Sequence, residues 1–154
     1  MIEIKAPNNI AYDGRTTLFI SGGITGTVSN WQKDFINKFV DDDVVIYNPR
    51  REGYDKYEEG VEYQQIKWEY DNMRAVDIIV MWFPKEAPCV ITLHELGRIL
   101  ERINITGVHL VIGIEKGYKR EADVRIQTKL SDINGNVKIV DNLYDLEQET
   151  RKLL

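Results

Sequence analysis

The sequence predicts an α/β sandwich: five parallel strands in one sheet, with helices on both faces. Three observations predict it. Five short runs rich in Val and Ile lack clean polar alternation, as strands covered on both faces do. Segments with apolar residues at helical spacing lie between them, so the chain reads β-α-β-α-β-α-β-α-β and demands a parallel sheet. Right-handed crossovers then favour the flavodoxin-like strand order 2-1-3-4-5.

The strands are read in order. TTLFIS, Thr16–Ser21, ends in Gly22-Gly23; DVVIYN, Asp43–Asn48, is stopped by Pro49. DIIVMWF, Asp77–Phe83, is stopped by Pro84, and VHLVIGI (Val108–Ile114) and VKIV (Val137–Val140) complete the set. Between them, Trp31, Phe35, Ile36 and Phe39 form one helical stripe and Tyr63, Ile66, Tyr70 and Met73 a second. Leu96, Ile99, Leu100 and Ile103 form a third; Glu121–Leu130 and Asn142–Leu153 follow, the last with Asp141 or Asn142 as cap. The first ~14 residues read as an added arm or short extra strand, with boundaries good to about ±2–4 residues. The 154 residues suit one domain, 1–154.

Composition narrows the function. A net charge of −5 and a pI near 5.1 argue against a sequence-independent grip on nucleic acid, which needs a basic stripe. Cys89 is the single cysteine and His94 and His109 fit no zinc spacing, so neither a disulfide nor a metal site is expected. No cofactor fingerprint appears. No apolar run approaches the ~20 residues of a membrane helix, and MIEIKAPNN has no signal-peptide core, so a cytoplasmic protein without a membrane partner is expected.

Ligands in such sheets bind beyond the carboxyl ends of the strands, where the winding reverses. Three segments fall there. Ser21-Gly22-Gly23-Ile24 can cradle a phosphate or sugar hydroxyl, or be only a tight strand-to-helix turn; it is neither G-x-G-x-x-G nor a P-loop. Asn48-Pro49-Arg50-Arg51 offers an amide and two cations, for an anionic ligand or for solvent. Phe83 through Glu95 runs from a strand end into an amphipathic helix. Glu95 in or near its first turn would be held as an anion by the helix dipole, as a nucleophile toward an anomeric carbon must be. Thr92-x-x-Glu95 also reads as a plain capping box. Glu69, mid-helix, either reaches the site or is a solvated surface residue, and Asp77 reads as a strand-start residue.

Together, Phe19–Ile24, Asn48–Arg51, Gln65–Glu69 and Cys89–Gly97 resemble the nucleoside 2-deoxyribosyltransferase-like family, in its bacterial and phage branch, over about Thr17 to Ile114. The resemblance implies a flavodoxin-like fold and cleavage of a nucleoside N-glycosidic bond. It implies Glu95 as nucleophile and Glu69 as second acid, eight residues before Asp77. Ser21, Gly22, Gly23 and Ile24 would bind the sugar end, and Asn48, Arg50, Thr92 and Trp82 or Phe83 would frame the base or a phosphate. Cys89 is a departure. It stands where the transferases carry a base-contacting aspartate and related monophosphate hydrolases a serine. Transfer to another base is the expected reaction; hydrolysis, or binding without turnover, are the alternatives. A small-molecule nucleoside or nucleotide partner and a homodimer or larger homo-oligomer are implied as well.

Overall fold

The computed structural model describes every residue except Tyr54 and Lys56. Among the described residues, six strands form one all-parallel sheet: β1 (Ile2–Lys5), β2 (Thr16–Gly22), β3 (Val44–Asn48), β4 (Ile78–Phe83), β5 (His109–Ile114) and β6 (Val137–Val140). Their order is β1-β3-β2-β4-β5-β6. The five expected strands keep their order, and the correction is a sixth strand at the edge. Ile2–Lys5 pairs in register with Val45–Asn48, which gives the outer side of β3 its hydrogen-bond partners. The arm then crosses one face of the sheet, where Trp68 Nε1 donates to Asn8 O at 2.7 Å and Asn72 Nδ2 to Asn9 Oδ1 at 3.1 Å.

The helices are α1 (Trp31–Ile36, extended by a 3-10 turn at Asn37–Phe39), α2 (Val61–Ala75), α3 (Val90–Leu100), α4 (Ile103–Thr106), α5 (Glu121–Ser131) and α6 (Leu143–Arg151). The sheet's two faces carry separate cores, because side chains alternate along each strand. Leu18, Ile20, Val80 and Trp82 pack with Trp31, Phe35 and Leu146, of α1 and α6. Phe19, Ile79, Met81 and Phe83 pack with Trp68, Leu96, Ile99 and Val124, of α2, α3 and α5. Asn142 caps α6, accepting from Asp145 N at 2.8 Å. Asp77 ties the starts of β2 and β4, accepting from Thr17 N at 2.8 Å and Thr17 Oγ1 at 2.7 Å.

One helix turns a different face inward than its apolar spacing predicts. Tyr63, Ile66 and Tyr70 of α2 are 73%, 56% and 42% exposed, whereas Val61, Gln65, Trp68, Asn72 and Met73 are buried. The side-chain amide nitrogens of Gln65 and Asn72 are bonded, while Gln65 Oε1 is buried without a hydrogen-bond partner among the described residues. Gln65 Nε2 donates to Pro49 O at 2.8 Å, and Asn72 Nδ2 donates to Trp68 O at 2.9 Å. Among the described residues, no helix is long and apolar enough to cross a membrane.

Candidate active site

The glycine pair that ends β2 is dictated by close approach. A Cβ on Gly22 would lie 2.5 Å from the Trp82 carbonyl oxygen and 2.6 Å from the Trp31 ring; one on Gly23 would lie 2.7 Å from Pro84. Gly23 has its backbone groups engaged: N–H donates to Trp82 O at 3.3 Å, and O accepts from Trp31 Nε1 at 2.8 Å. This packing draws the β2 end against β4. It leaves Ser21, on the same strand face as Phe19, facing α3.

A cavity of about 560 Å³ opens at the carboxyl ends of β2 and β3 and beside the start of α3. Ser21, Gly22, Gly23, Ile24, Arg50, Glu69, Cys89, Thr92 and Glu95 all line it. This is the reversal point of the winding, since β2 sits between β3 and β4. Two expected residues lie elsewhere. Asn48 spends its side chain locally, donating to Glu3 Oε1 at 2.8 Å and accepting from Arg50 N at 3.0 Å. Phe83 is wholly buried with its ring 5.2 Å from that of Tyr118, and Trp82 packs in the opposite face's core. A strand residue's facing is set by its register, and neither of these residues lines the cavity.

Glu95 departs from its expected setting in two respects. The helix begins at Val90 after Cys89, whose φ of 51° makes it the one non-glycine residue in the left-handed region among those described. Glu95 therefore sits in the second turn, and Thr92 inside the first, so the capping box is not made. The carboxylate instead reaches across to the sheet, where Ser21 Oγ donates to Glu95 Oε2 at 2.6 Å. At 6% exposure Glu95 is stripped of water. Burial pushes its pKa up to about 7; the Ser21 hydrogen bond and, more weakly, the Arg98 cation oppose this, while the charge of Glu69 adds to it. The strong anion expected at a helix start is therefore not found, because burial raises the carboxyl instead.

Glu69 projects from the middle of α2 into the same cavity and accepts from Gln65 Nε2 at 2.8 Å. Its pKa is also raised by burial, against the Gln65 hydrogen bond and Arg98. Burial thus holds both carboxyls above the ordinary carboxylate range, and the charge of Glu69 raises Glu95 further. Opposite them, Arg50 Nη1 donates to Gln32 Oε1 at 3.1 Å; Gln32 is fully buried. Among the described residues no carboxylate lies within ion-pair distance of Arg50, so its remaining donors are open to an anion. Burial pushes the Cys89 thiol up to about 11, which keeps it neutral.

Several lining residues were not named as site residues from the sequence: Glu62, Ile66, Val90 and Ile91, and Gln65 was quoted only within the Gln65–Glu69 motif; Arg51, read as a cation for an anionic ligand, does line the cavity. Gln65 was findable, since it precedes Glu69 by one helical turn; Gln32 carried no signal. Among the described residues, no group of three or more His, Cys, Asp or Glu side chains is placed to hold a metal ion.

A doubly wound parallel sheet with a carboxylate pair at its switch point defines a flavodoxin-like α/β protein with a crevice site. The chain belongs to the nucleoside 2-deoxyribosyltransferase-like family, whose model matches residues 15–118, more than half its length. The fold is similar to the crystal structure of a conserved protein from Enterococcus faecalis V583, with a TM-score of 0.66 at 15% identity, covering 91% of this chain and 99% of that one. Among curated proteins, none matches the chain in sequence.

Proposed function

We propose that this chain cleaves the N-glycosidic bond of a (deoxy)nucleoside or nucleotide through a covalent glycosyl-Glu95 intermediate, and transfers the sugar to another base. The observation that carries the reading is Glu95 itself. It is a buried carboxyl lining an open cavity, held from one side by Ser21 and raised further by the negative charge of Glu69. A carboxylate that is itself buried yet lines an open cavity is suited to attack C1′ and to leave again in a second displacement. Glu69, whose carboxyl burial favours the protonated form, supplies its proton to the departing base nitrogen. The apolar lining contributed by Ile24, Ile66, Pro88, Val90 and Ile91 suits a planar base, and Arg50 suits a phosphate or other anionic group on the sugar.

Water as acceptor is the second reading, and one observation favours it. Cys89 is neutral and buried, so the position that the family resemblance associates with a base-contacting aspartate offers no charge to fix an incoming base. Ile66, Val90 and Ile91, exposed apolar residues of the cavity lining, support the homo-oligomer that the resemblance implies.

The test incubates the protein with deoxynucleosides and their 5′-monophosphates, with and without a second free base, and follows products by chromatography. Exchanged nucleoside marks a transferase, and base release indifferent to the added base marks a hydrolase. Glu95→Ala should lose turnover, and intact-mass spectrometry of the wild type should find a sugar ester on Glu95. A fully active Glu95→Ala protein sinks the proposal; tight binding with the ligand recovered intact would make the chain a binding module.

A further inference from the structure

We propose that Ser21 is a positioning residue of the reaction: its hydroxyl selects which oxygen of Glu95 attacks and makes that carboxylate a better leaving group in the second displacement. The inference rests on the double displacement proposed above. A carboxylate has two equivalent oxygens until its surroundings distinguish them. Here Oε2 accepts from Ser21 Oγ at 2.6 Å, a short, charge-assisted contact between two buried residues, 3% and 6% exposed. Oε1 has no hydrogen-bond partner among the described residues, and Glu95 lines the cavity.

The steps follow from that asymmetry. In the first displacement the Oε1–C1′ bond forms as the C1′–N bond breaks; the electron pair goes to the base nitrogen, which takes up the proton of Glu69. Oε2 becomes the ester carbonyl oxygen, still bonded to Ser21. In the second, the acceptor's lone pair attacks C1′, the C1′–Oε1 bond breaks, and its pair returns to the carboxylate. The acceptor loses its proton to the carboxyl pair. A hydrogen bond to a carboxylate is stronger than one to an ester carbonyl. Ser21 therefore stabilises the free carboxylate over the ester, which favours ionised Glu95 before the reaction and eases its departure afterwards. The turn that follows Ser21 is closely packed, with Gly22 against Trp82 and Trp31 and Gly23 against Pro84.

The experiment compares wild type with Ser21→Ala, using whichever deoxynucleoside the wild type turns over. It reads the acid limb of the kcat/KM–pH profile and the fraction of enzyme carrying a sugar ester after rapid quenching. Loss of one hydrogen bond to a charged group should move the acid limb upward by about one to two pH units. Above that limb the ester should accumulate, because its breakdown is slowed more than its formation. A uniform loss of rate with the limb unmoved and no added ester overturns the assignment. Ser21→Cys, a weaker donor of similar shape, should move the limb less and in the same direction; it serves alone if the alanine variant does not fold, and an unmoved limb there overturns the assignment equally. Wild-type protein that turns over none of the substrates and forms no ester defeats the double displacement itself, whereas an active wild type with an unmoved variant defeats only the role of Ser21.

Discussion

A buried acid with a raised pKa lowers the protein's stability when it is ionised, and Glu95→Gln should reveal how much. In the unfolded chain the group titrates near its ordinary 4.5, and in the folded protein near 7. Between those values the native state binds more protons than the unfolded one, so stability falls as pH rises and levels off above about 7. At 1.36 kcal/mol per pH unit the full cost is about 3 kcal/mol at pH 8, with about 1 kcal/mol already present at pH 5. Solvent does not discount this much, since Glu95 is only 6% exposed. Glutamine has nearly the same shape, can still accept from Ser21, and cannot ionise. Glu95→Gln should thus be more stable than wild type by about 3 kcal/mol at pH 8, with the difference shrinking toward pH 4.5. Urea unfolding at pH 5 and pH 8, compared at constant m, measures it. Glu69 titrates in both proteins, so its own contribution largely cancels in the comparison. An equal offset at both pH values, or a glutamine variant less stable at pH 8, would refute the claim that burial dominates this carboxylate.

Glu69→Gln removes the charge that helps raise Glu95, so the acid limb of activity should move to lower pH, opposite to the Ser21→Ala shift, while kcat falls. A kcat/KM–pH profile checks both, and a limb that stays in place would uncouple the two carboxyls. Gly22→Ala puts a methyl carbon 2.5 Å from a backbone oxygen and should cost about 1–3 kcal/mol by overpacking, seen as a lower unfolding midpoint. A neutral result would mean that the β2 end is not held where the site requires it.

Much of this architecture is written locally. Strands β2 to β6 were legible because runs such as DIIVMWF and VHLVIGI are apolar over most of their length and lack the regular polar alternation of a solvent face. The crevice was legible because Gly22, Pro49 and Pro84 mark three strand ends, and parallel winding brings two of them together with the start of α3. Glu95 and Glu69 were legible as candidates through the resemblance to the family, since the spacing of Thr92 and Glu95 alone reads equally as a helix cap. The inward face of α2 was not. Tyr63, Ile66 and Tyr70 fit a helical stripe as well as Val61, Trp68 and Met73 do, and the choice was made by Pro49 O and Asn8 O, which accept from Gln65 and Trp68.

What the sequence determined by itself was therefore the order of elements, the sheet's handed winding and the residues presented at its carboxyl edge, since periodicity and turn chemistry depend on near neighbours. Only the tertiary structure decided that Glu95 leaves its own helix for Ser21, that Asn48 joins Glu3 of the edge strand, that Phe83 stays in the core, and that the carboxyl titrates near neutrality. Desolvation and hydrogen-bond partnership are sums over segments far apart in the chain, and they come into being only when the sheet and its helices close around them.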